Sequence, residues 1–360
     1  MNARERLRRA YTYEEMDRPG VYSRTGFPAN DPSYDRLRAY LEAHTELKWG
    51  WNARALESPY PTTRTVEPWS ADFARQITTL HTPAGDLQSA FLVGLKGQPG
   101  LSQSYFIKSR EDALTYLSLP TPEVAGDVES CFALDRQVGE RGIVDVSLGF
   151  NPAGFVVELC GSETFALLSI TDRDVLHALC QREMQRTLAL LQFLLARGVG
   201  PFFSMLGEEY IVPPLHGPAD FHDFNVRYDR PILDLIHDSG GRVHIHCHGS
   251  IRRVMSGFLE MDVDVLHPFE APPHGDITPQ QAKEAARGRI CLEGNIPIQH
   301  MYEETSEFVR QETKALIAAA FDDGRGLIVS PTASPYISGA GERCFPQYQA
   351  MIDTVLGWQP

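Results

Sequence analysis

The sequence lacks a basic balance. Its 360 residues carry 33 Lys and Arg against 47 Asp and Glu, a formal net charge of −14. A chain of that sign argues against a nucleic-acid or anionic-membrane partner, since either would need a basic surface. Apolar runs are short, and none approaches the ~18 residues of a membrane span. The opening "MNARERLRRAYTYEEMDRPG" lacks the apolar stretch of a secretory signal, and its acidic residues argue against a transit peptide. A cytoplasmic protein is expected. The six cysteines stand at 131, 160, 180, 247, 291 and 344, with no CxxC and no close pair, so reduced and mostly buried thiols are expected. No GxGxxG or GxxxxGKT loop occurs, which removes the usual dinucleotide and P-loop nucleotide sites. No repeat of 20–50 residues and no low-complexity segment is evident.

What is present is a large apolar fraction, 42%, and a regular alternation of elements after residue 140. "GIVDVSLGF", "PFFSMLGEE", "RVHIHCHG", "VDVLHPFE", "RICLEGNI" and "GLIVSPT" read as strands. Between them lie helical patterns such as "DRDVLHALCQREMQRTLALLQFLLARG" and "GPADFHDFNVRYDRPILDLIHDSGG". Strands alternating with helices of this length predict βαβ units around a parallel sheet. The fold class is therefore α/β, a (β/α)8 TIM barrel with an irregular α+β N-terminal elaboration. A single domain over 1–360 is expected, with a first strand near Val21–Phe27 and an inserted hairpin and helix region at about 60–125. In that insertion "PAGD" marks a hairpin turn, and Ser109 stands as the N-cap of a helix.

In such barrels chemistry collects at the C-terminal ends of the strands. Those ends are polar here: Glu208, Glu209 and Tyr210; His246, Cys247 and His248; His267 and Glu270; Glu293 and Asn295; Ser330. The two-residue period of a strand puts His244, His246 and His248 on one face and Ile245 and Cys247 on the other. The apolar alternates suit the helix side, so the histidines point inward, His244 a layer deeper than the others. Strand histidines are commonly plain polar residues satisfied by neighbours. At a barrel mouth among carboxylates, His246 and His248 become candidate metal ligands. Cys247 falls on the helix side, where a buried thiol is ordinary. Glu208 and Glu209 also fit a solvated loop, Glu270 a loop cap and Asn295 a turn. His216, His222 and His274 read as surface residues.

These stretches, with "TPAGDL" and "FIKSREDALTYL", resemble the uroporphyrinogen decarboxylase superfamily, in particular its cobalamin-dependent methyltransferase branch. The resemblance implies a (β/α)8 barrel. It is weaker to the decarboxylase itself, whose arginine-rich N-terminal signature is replaced by "YSRTGFPAND", with Arg24 its only basic residue. The methyltransferase branch implies zinc held by His-x-Cys on this strand and a second Cys after the last one. Here His246 takes the His position, His248 the first Cys position, and Ala333 stands where the second Cys is expected. A third ligand is then needed. Glu209, ending the preceding strand, is the first choice, Glu270 the second, and Glu293 lies further round.

Two imidazoles and one carboxylate make a harder Lewis acid than a thiolate site, suited to an oxygen ligand. The expectation is a zinc-dependent enzyme, with iron(II) as the alternative. It would demethylate a small O-methyl or similar substrate and pass the methyl group to a corrinoid supplied by a partner protein. No corrinoid-binding DxHxxG motif occurs in the chain. Glu270, Glu293 and Asn295 are the candidate catalytic residues, and Tyr210, Phe269 and Tyr336 a candidate apolar wall for the substrate. A homodimer is compatible with this reading. A metal-dependent lyase, hydrolase or decarboxylase on the same barrel, and a non-enzymatic binding protein, stay open.

Overall fold

The computed structural model describes residues 1–359. Its strands are β1 (Gly20–Val21), β2 (Leu47–Asn52), β3 (Thr62–Pro68), β4 (Phe73–Thr82), β5 (Gly85–Gly94), β6 (Leu101–Ser104), β7 (Gly142–Phe150), β8 (Phe202–Leu206), β9 (Arg242–His246), β10 (Val265–His267), β11 (Cys291–Ile296) and β12 (Leu327–Pro331). Eight of them form one parallel sheet in the order β1-β12-β11-β10-β9-β8-β7-β2. The two ends of that order meet where Glu46 N donates to Val21 O at 3.0 Å, which brings β2 back to β1. The result is the expected (β/α)8 barrel. Strands β11 and β12 are buried at every position, as a parallel sheet covered on both faces requires.

The remaining strands form a separate antiparallel sheet, β3-β4-β5-β6, between β2 and β7. Its hairpin turns at Pro83–Ala84, within the "PAGD" stretch, and Ser109 caps the helix Arg110–Leu117 that follows. One helix, Pro152–Thr171, is long and apolar enough to cross a membrane. It packs against the helix Arg173–Leu195, with Phe165 fully buried.

Three local expectations need correction. The first strand is two residues long, and Tyr22–Phe27 continues without entering the ladder. The ladder of β9 stops at His246, so His248 lies in the loop beyond it. His216 is buried, 3% exposed, with Nδ1 3.3 Å from Asp220. The sequence cue for it, a loop next to a helix, carries no signal of burial.

Candidate active site at the barrel mouth

The alternation in β9 settles the wall of the barrel first. Ile245 and Cys247 are fully buried, and burial pushes the Cys247 thiol well above its ordinary range. His244 and His246 line an interior cavity of about 340 Å³, together with Arg24, Lys48, Asp145 and Glu293. At its floor Lys48 Nζ donates to Glu293 Oε2 at 2.6 Å, with both side chains buried. His244 Nε2 lies 3.6 Å from the other oxygen, Oε1. Burial would raise the Glu293 pKa, but the Lys48 ammonium and His244 hold it well below the usual carboxylate range. Lys48 reaches the interior because β2 alternates: Leu47, Trp49 and Trp51 take one parity, Lys48 and Gly50 the other.

Above this floor three groups meet across distant parts of the chain. Arg24 Nη1 lies 2.8 Å from His246 Nδ1 and 3.4 Å from His267 Nδ1, and the two Nδ1 atoms are 2.8 Å apart. The rings of His246 and His267 are stacked, with centroids 5.0 Å apart. His267 Nε2 donates to Pro331 O at 3.2 Å. Burial first, then the positive neighbours, push both imidazoles far below their ordinary pKa, so both are neutral at pH 7. A neutral His267 that donates from Nε2 has a bare Nδ1. His246 accepts from Arg24 and so has a bare Nδ1 as well. Two lone pairs facing at this separation repel unless a cation lies against both, and the Arg24 guanidinium is that cation.

Nearer the rim, His248 Nδ1 donates to Glu270 Oε2 at 3.0 Å, and the Gly249 amide approaches the same oxygen at 3.4 Å. Burial opposes ionisation of Glu270, but the His248 contact lowers its pKa overall. His248 packs edge-on to His246, with centroids 4.7 Å apart. Glu209 Oε2 instead accepts from its own Gly207 amide at 3.1 Å, and burial raises its pKa. Glu208 is fully buried rather than solvated, and neither carboxyl oxygen has a protein partner. Burial, with Asp229 beside it, raises its pKa well above the ordinary value.

The expected ligand set is therefore not assembled. Among the described residues no three His, Cys, Asp or Glu side chains converge to hold a metal ion. His248 turns to Glu270 instead of Glu209, and the shared Nδ1 face of His246 and His267 is taken by a permanent cation. Zinc or iron does not fit these residues as a resident group.

The expected apolar wall is not assembled either. Tyr210 donates to Glu158 at 2.6 Å, Phe269 is fully buried in the core, and Tyr336 is 61% exposed beside Tyr302. None of the three lines the interior cavity. Asn295 donates to Phe269 O at 2.6 Å, and its Oδ1 has no protein partner.

Residues 150–335, just over half of the chain and most of the mouth, match the uroporphyrinogen decarboxylase (URO-D) family. The chain belongs to that family. No curated protein sequence matches it. Among solved structures it is similar to a methyltransferase from Methanosarcina mazei, at 12% identity over 98% of each chain with a TM-score of 0.63. It is also similar to a B12-independent methionine synthase from Shewanella sp. W3-18-1, at 12% identity over 66% of this chain and 70% of that one, with a TM-score of 0.45. At these identities the likeness is one of fold. The family's barrel mouth here holds two neutral histidines, Arg24, and the His248–Glu270 pair.

Proposed function

We propose that this family member is a methyltransferase that demethylates a small O-methyl or similar substrate and passes the methyl group to a corrinoid protein. The observation that carries the reading is the mouth itself. Neutral His246 lines the interior cavity with Arg24, neutral His267 stacks on it, and the hydrogen-bonded His248–Glu270 pair packs against His246 toward the rim. The fold likeness to a methyltransferase over the full length of both chains is in keeping with it. Decarboxylation of a polycarboxylated tetrapyrrole fits less well. The cavity offers only Arg24 and Lys48 as cations, and Glu293 already neutralises Lys48.

A methoxy group is a poor methyl donor because its oxygen leaves as an alkoxide or phenoxide. Protonation at that oxygen in the transition state is what the protein has to supply. We assign this role to Glu209, whose charge interacts with His248 and Arg24 and whose raised pKa keeps a proton available to higher pH than an ordinary glutamate. Glu270 fixes the His248 ring, and Arg24 holds His246 with Nε2–H as its remaining donor. When docked, the corrinoid supplies the methyl-accepting nucleophile.

The test is single-turnover transfer to reduced cobalamin, followed by its absorbance, with a panel of methyl ethers as donors. Protein-dependent methylcobalamin formation is the expected result. Turnover of a carboxylated substrate with release of CO2 and no methyl transfer would replace this reading with the decarboxylase one.

A further inference from the structure

The interior cavity has a roomier neighbour. A side cavity of about 510 Å³ lies beside the mouth, between the loop after β10, the end of β11 and the helix Ser306–Ala320. Glu312, Ala315, Leu316 and Ala319 line it, the i, i+3, i+4, i+7 face of that helix, and the two alanines leave the space open. Prolines at 272, 273, 279 and 297 supply much of the remaining wall.

Its charge is one-sided. Two carboxylates line it, Glu270 and Glu312, and no Lys or Arg does. Glu312 receives its contact from His300 Nδ1, at 3.0 and 3.1 Å. Asn295 also lines the cavity; it is 8% exposed, and its Oδ1 lacks a donor in the protein. A buried acceptor without a donor is costly, so a ligand that brings an N–H is favoured. The interior cavity differs in carrying both signs, with Arg24 and Lys48 beside Asp145 and Glu293 in its wall.

We infer that the side cavity binds the protonated amine of a small organic ammonium compound, its apolar body lying against the prolines and alanines. Glu270 belongs to both the cavity wall and the His248 pair, which sets the ligand beside the reacting centre. Only the placing of this ligand beside a reacting centre rests on the proposed function. The binding does not.

Isothermal titration of the intact protein at low, fixed ionic strength tests it with three probes of one shape class: N,N-dimethylbenzylammonium, benzyl methyl ether and benzoate. The ammonium is expected to bind at least about tenfold more tightly than either of the others, the carboxylates acting at short range in a partly desolvated site. Glu312→Gln, near-isosteric and partly exposed, should weaken ammonium binding about tenfold and leave the ether unchanged. Ala315→Phe, which fills the cavity, should abolish binding of both, with circular dichroism confirming the fold. Equal or tighter binding of the ether or benzoate, undetectable ammonium binding, or ammonium affinity unchanged by Glu312→Gln would overturn the inference. Tight ammonium binding, with no methyl transfer to cobalamin from any donor of the methyl-ether panel, would sink the proposed function and leave the cavity's assignment standing.

Discussion

Arg24 donates to His246 across 222 residues of sequence, Nη1 to Nδ1 at 2.8 Å, and so takes the position beside two bare imidazole nitrogens that a metal ion would otherwise compete for. Arg24→Met should therefore leave His246 and His267 with facing lone pairs and no shared donor. Relief comes from tautomer exchange or protonation of one ring. The expected cost is about 1–3 kcal/mol of stability, that of a buried polar contact left unmade, read by urea denaturation. Histidine 15N spectra should show the change at these two rings. Unchanged stability and unchanged spectra would mean that the guanidinium does not hold the pair.

The floor of the cavity makes a second prediction. Lys48→Met removes the partner of a fully buried carboxylate and should cost about 3–5 kcal/mol. Adding Glu293→Gln should recover much of the loss, because no charge is then left unpaired. In the wild type the Glu293 pKa is depressed on folding, so its contribution is present above the ordinary glutamate pKa. It is lost as pH falls through the lower folded value. Stability should thus decline on acidification below about pH 4.5 more steeply in wild type than in the Lys48→Met, Glu293→Gln double variant. Parallel curves would contradict the pairing.

Cys247 makes a third. Its thiol faces the helices and burial raises its pKa, so it should resist alkylation in the folded protein. All six cysteines are free and buried, so mass spectrometry after iodoacetamide should find none labelled until denaturant is added. Rapid labelling at Cys247 would mean that the strand register of β9 is shifted in solution.

Much of this could be read from the sequence, for identifiable reasons. The parity of "RVHIHCH" assigned His246 inward and Cys247 outward because a strand admits only two faces. The hairpin at "PAGD" was legible from its turn residues, and the barrel from alternating strands and helices. Arg24 was not legible as a site residue. It lies past a strand two residues long, in a loop whose path depends on contacts with β9, β10 and β12. Lys48 carried a usable signal, a lysine alternating with two tryptophans in "LKWGWN". His267 was visible at a strand end, but its pairing with His246 depends on the β9–β10 register, where those two residues are direct neighbours. Glu209 failed as a ligand because Gly207, with φ +113, turns the chain so that the carboxylate returns to its own loop. Tyr336 failed as a wall because its loop carries the ring to the surface.

Proton donation by Glu209 gives a fourth prediction. Since burial raises its pKa, methyl transfer should be supported to higher pH than an ordinary glutamate allows and should fall as pH rises through that value. Glu209→Gln should lower the rate about 10²–10⁴-fold, the usual span for a general acid, and remove that limb of the pH profile. Glu270→Gln should leave the limb in place while slowing the reaction through a misoriented His248. A Glu209→Gln profile identical to wild type would assign the proton elsewhere.

The most direct measurement is the initial rate of methylcobalamin formation against metal content, on protein prepared with chelator and on the same protein resupplied with zinc or iron(II). A rate that is independent of bound metal, and that Arg24→Met abolishes in both preparations, is the expected result. A rate rising in proportion to bound zinc or iron, with Arg24→Met still active, would contradict it and return His246 and His248 to the role of metal ligands.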